Sequence, residues 1–99
     1  MSIIQEHFET ALEAWSMMQK TTDDEGAEWA ERFERYFYEF SKELKIWINN
    51  LDVKPTSLEE AEALPEIQYW MDHLPAPVQL NLLTELEEII DGIETKRFD

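Results

Sequence analysis

The chain has no cysteine, two glycines, and 8 basic residues against 23 acidic ones. Without cysteine there is no disulfide, no thiolate zinc site and no cysteine nucleophile. With only Gly26 and Gly92 there is no glycine-rich loop to cradle a phosphate. The longest stretch without a charged side chain is His73 to Thr84, 12 residues with Pro75 and Pro77 inside it. A helix crossing a bilayer needs about 20 apolar residues, so no membrane span is expected. The opening Met1-Ser-Ile-Ile-Gln-Glu lacks a basic segment and meets a carboxylate at Glu6. A secretory signal is therefore not expected, and cytoplasmic placement is. The shortage of bases decides most. A protein gains nucleic-acid affinity by neutralising phosphates with Lys and Arg, whereas a formal charge of −15 is repelled. Direct nucleic-acid binding is thereby disfavoured, and the acidity points to basic partners.

What the chain does contain is helical periodicity. Ala30, Phe33, Phe37, Phe40, Leu44, Trp47 and Leu51 recur at alternating spacings of three and four, a heptad seam inside one long amphipathic helix over residues 24–50. Thr22 and Glu25 are spaced as a capping box at its start. Before it, Ile4, Phe8, Ala11, Leu12, Trp15 and Met18 share one face of a helix over 3–20, which Ser2 and Gln5 are spaced to cap. After it, Asn49 to Pro55 forms a turn, and Ser57 with Glu60 opens a short helix over 58–64. Pro65 interrupts that helix but suits a first helical turn, so a second short helix over 66–74 carries Ile67, Trp70, Met71 and Leu74 on one face. Pro75 closes it. The last helix, 77–95, has a core stripe of Val78, Leu82, Leu86, Ile89 and Ile93, with Leu83 and Ile90 at its edge, and is expected to fray from Gly92. Leu80 falls on its polar side, where a neighbouring short helix is expected to cover it. The fold class is all-α: a small elongated bundle of three main helices and two short ones, forming a single domain over 1–99.

No pattern of catalytic chemistry is present, and the chain is not expected to be an enzyme. His7 and His73 lack the spacing of the Glu-x-x-His and His-Glu-x-x-His ligand motifs. Aligning Gly26 with the central glycine of a calcium loop puts Thr21 first and Arg32 where a bidentate glutamate is required. Paired carboxylates work as acid and base only where unlike environments separate their pKa values, and nothing in the pattern marks such a pair. Neither a metal nor a cofactor is expected.

The charge is unevenly divided. Between Lys54 and Lys96 ten acidic residues occur with no basic one. On the last helix Glu87, Glu88, Asp91 and Glu94 lie opposite the core stripe with Glu85 on the flank. These four carboxylates spread over about 10 Å, close to one per 3.4 Å, the phosphate spacing along a DNA strand. Clustered acids on a helix are ordinarily a solvated face. Here the excess over the net charge of about 2–8 that solubility asks for favours a docking role. The candidate surface is Glu59, Glu60, Glu62, Glu66, Glu85, Glu87, Glu88, Asp91 and Glu94, presented to a basic protein partner by an inhibitor or a nucleic-acid mimic. An alternative surface is the basic and aromatic back of the long helix, Arg35, Tyr38, Lys42 and Ile46. Its plainer role is to be covered by the acidic half of the chain, with Glu28 to Arg32 and Glu31 to Arg35 pairing locally. An alternative function is structural: a homodimer joined through the aromatic seam, because about 40 Å of long helix overhangs neighbours of about 28 Å.

Overall fold

Five helices follow one another along the described residues, with no strand among them: α1 (Ile3–Lys20), α2 (Asp23–Asn49), α3 (Leu58–Glu62), α4 (Pro65–His73) and α5 (Ala76–Phe98). The computed structural model describes the backbone of residues 3–98 and the side chains of residues 3–92. The fold is all-α, with three long helices and two short ones. No helix among the described residues is long and apolar enough to cross a membrane. Ser2 and Ile93, assigned a cap and a core position by their spacing, lie outside the described side chains.

Both short helices stop earlier than their apolar patterns. Leu64 and Leu74 each precede a proline and adopt extended conformations, with ψ of 131° and 142°. A proline ring clashes with a helical residue before it, so α3 and α4 end before those leucines. Pro65 itself sits in the first turn of α4, where its missing N–H costs nothing. Gln79, at the start of α5, closes the α4 end: its amide donates to the carbonyls of Met71 at 2.9 Å and Leu74 at 3.1 Å.

The last helix, by contrast, runs past its expected fraying point at Gly92 and continues to Phe98. A glycine lowers helix stability by about 1 kcal/mol without breaking the hydrogen-bond ladder. A Cβ placed at Gly92 meets nothing within 4 Å. Gly92→Ala is therefore expected to stabilise the chain by up to about 1 kcal/mol, read as a higher denaturation midpoint with unchanged slope.

Contacts divide the chain into two compact units, Met1–Leu44 and Lys45–Asp99, with the boundary inside α2. The first unit is organised by aromatic rings. Trp15 meets Phe33 edge-on at 5.2 Å, Phe33 stacks on Phe37 at 5.8 Å, Phe37 meets Phe40 at 5.9 Å, and Phe40 meets Phe8 at 5.4 Å. Going back from Trp15 to Phe8 on α1 corresponds to going forward from Phe33 to Phe40 on α2, which makes the two helices antiparallel. Their turn is held by the Thr21 hydroxyl donating to the Met17 carbonyl at 2.9 Å and by the Gly26 N–H donating to Thr22 at 3.2 Å. Asp23 takes a left-handed φ of 57°, a conformation in which aspartate is better tolerated than most residues.

The heptad seam is only partly the buried stripe. Phe33, Phe37, Phe40 and Leu44 are buried, but Ala30, Trp47 and Leu51 are half-buried, while Ser41 and Ile48 are buried although they lie outside the seam. A straight helix repeats every 3.6 residues and drifts about 20° per heptad from a 3.5 repeat, so the inward face passes from Trp47 to Ile48. Ser41 carries the consequence. Its hydroxyl is buried with no hydrogen-bond partner among the described residues. Leaving a buried polar group unpaired costs about 1–3 kcal/mol. Ser41→Ala is expected to raise stability by about 1 kcal/mol in equilibrium denaturation, with helix propensity contributing in the same direction.

The second unit packs Ala61 of α3, Ile67, Trp70 and Leu74 of α4, and Val78, Leu82, Leu86, Ile89 and Ile90 of α5 into its core. Trp70 meets Trp47 edge-on at 5.5 Å. Ile90, expected at the edge, is buried, whereas Leu80 is 67% exposed rather than covered by a short helix.

Candidate functional site

The acidic candidates of the second unit are held by α3, α4 and α5. Ser57 caps α3, its hydroxyl accepting from the Glu60 N–H at 3.2 Å. The glutamate of this box reaches one residue further back than a standard capping box does. A Glu60 carboxylate oxygen accepts from the Thr56 N–H at 2.9 Å and from the Thr56 hydroxyl at 3.1 Å. Those two bonds, the backbone one foremost, hold the Glu60 carboxyl below its ordinary pKa. Its carboxylate thus has a structural task.

Glu85 is half-buried on the flank of α5 and shifted the other way. Burial raises its pKa, and the neighbouring charge of Glu88 adds to the effect. A carboxyl whose folded-state pKa lies above its unfolded value costs stability when ionised. That cost is absent below the unfolded pKa, grows as pH rises through the interval between the two, and is complete above the folded value. Glu85→Gln is expected to raise the thermal midpoint at neutral pH, with the advantage vanishing in acid below the carboxylate range; melting curves across that range check it. Glu60 acts oppositely. It adds stability above its unfolded pKa, and the gain is lost as pH falls through its depressed folded value.

Glu59, Glu66, Glu87, Glu88 and Asp91 are exposed, and Glu62 is half-buried. The Glu94 side chain lies outside the described residues. Glu87 and Asp91 line one cleft with Thr56, Ser57, Leu58 and Ile90, so the start of α3 and the outer edge of α5 form a common surface. Glu66, at the start of α4, does not line that cleft. Among the described residues no group of His, Asp or Glu is arranged to hold a metal ion.

The back of α2 is exposed at Arg35, Tyr38, Lys42 and Ile46. Its charges are partly engaged along the helix. The Lys42 ammonium lies 3.4 Å from the Glu39 carboxylate and 5.5 Å from the centre of the Tyr38 ring. Arg32 lies 4.5 Å over the Trp29 ring, and the expected pairs Glu28–Arg32 and Glu31–Arg35 are not formed among the described residues. Arg35 instead lines a cleft between α1 and α2 with Glu6, His7, Glu9, Thr10, Glu13, Tyr36 and Glu39. That second acidic concavity has a sequence signal which counting charge by halves passes over. Glu6, Glu9 and Glu13 follow one another at spacings of three and four, which puts them on one face of α1.

Comparison with known protein families, with curated proteins and with solved structures finds no match for this chain.

Proposed function

We propose that this protein is a small acidic binding module that docks on a basic surface or groove of a partner protein, acting there as an inhibitor or nucleic-acid mimic. The observation that carries the reading is the exposure of Glu59, Glu66, Glu87, Glu88 and Asp91 in the stretch between Lys54 and Lys96, within which no Lys or Arg occurs. Like charges collected on one small domain repel one another, a cost that a surface serving solubility alone avoids at a lower net charge. The same field attracts a cationic groove and steers association toward it. Glu60 belongs to this surface chiefly as the residue that secures the start of α3.

Self-association through the aromatic seam is the weaker reading, because Phe33, Phe37, Phe40 and Leu44 are already buried within the chain. An interface through them would have to unpack the core.

The test is capture from a cell extract by the immobilised protein at low and at moderate salt. Charge-driven docking predicts basic proteins retained at low salt and released as exposed charges are screened, over a Debye length of about 10 Å at 0.1 M. Retention of the chain's own copies alone, indifferent to salt, overturns the reading in favour of self-association.

A further inference from the structure

We draw no further inference here: the strongest candidate, the cleft between α1 and α2 that Glu6, Glu9, Glu13 and Glu39 line together with His7 and Arg35, is a cluster of carboxylates, and nothing in the structure shows what would occupy it.

Discussion

Phe40→Ala is expected to cost about 3–5 kcal/mol, a large share of the ~5–15 kcal/mol by which a typical domain is stable. Phe40 is 1% exposed and lies between the rings of Phe8, at 5.4 Å, and Phe37, at 5.9 Å. Truncation removes the transfer energy of the ring and leaves a cavity that two stiff aromatic neighbours fill poorly. In a domain of this size each kcal/mol moves the thermal midpoint by about 4–8 °C, so the melting curve should fall by well over about 10 °C. Phe40→Leu keeps most of the buried volume and should cost much less. Tyr38→Ala, two positions away on the same helix but 63% exposed, is the control and should stay within about 0.5 kcal/mol of the parent. A thermally silent Phe40→Ala would mean that the seam is not the core of the first unit.

Reversing Glu87, Glu88 and Asp91 together to lysine is expected to leave helix content unchanged, because all three side chains are exposed. Association with a captured basic partner should slow about tenfold or more, and its salt dependence should flatten, since steering by surface charge acts mainly on the on-rate. Stopped-flow or surface-capture kinetics at two salt concentrations read both effects, with circular dichroism as the check on folding. The opposite outcome is equally clear. If association ignores these reversals and is lost instead on Tyr38→Ala, Ile46→Ala or Arg35→Ala, the back of α2 is the functional face and the acidic surface is a solvated one.

The order of helices, and most of their ends to within one or two residues, was legible because the signals are local. Apolar residues repeat every three to four positions, and prolines at 55, 65, 75 and 77 punctuate the second half. The same local logic located Phe33, Phe37, Phe40 and Leu44 on α2, Ile67 and Trp70 on α4, and Leu82 and Leu86 on α5, all of them buried. It overextended α3 and α4 by reading apolar spacing through residues that the following proline holds extended. It stopped α5 at 95, with fraying expected from Gly92, whereas the helix continues to Phe98 because a glycine is only a weak point in the ladder.

At the candidate site the exposure of Glu87, Glu88 and Asp91 on α5 was readable from the helical wheel, since a carboxylate opposite a continuous apolar stripe has nowhere drier to go. Two members are decided by how their side chains turn. Glu60 turned out to be engaged by Thr56, and Glu85 to be half-buried beside Glu88. Both facts depend on which way a side chain turns relative to its neighbours, and periodicity carries no such information.

The helical class, the identity of most core residues, the excess of negative charge and the absence of thiol chemistry follow from composition or from spacing along a single helix. Tertiary packing supplies the rest: the inward face of α2 passes from Trp47 to Ile48, the Ser41 hydroxyl is buried with no partner among the described residues, Leu80 is left uncovered, and Glu87 and Asp91 share a cleft with the start of α3. Those outcomes are set by contacts between elements distant in the chain, where a rotation of a few tens of degrees about a helix axis exchanges one residue for its neighbour at the interface.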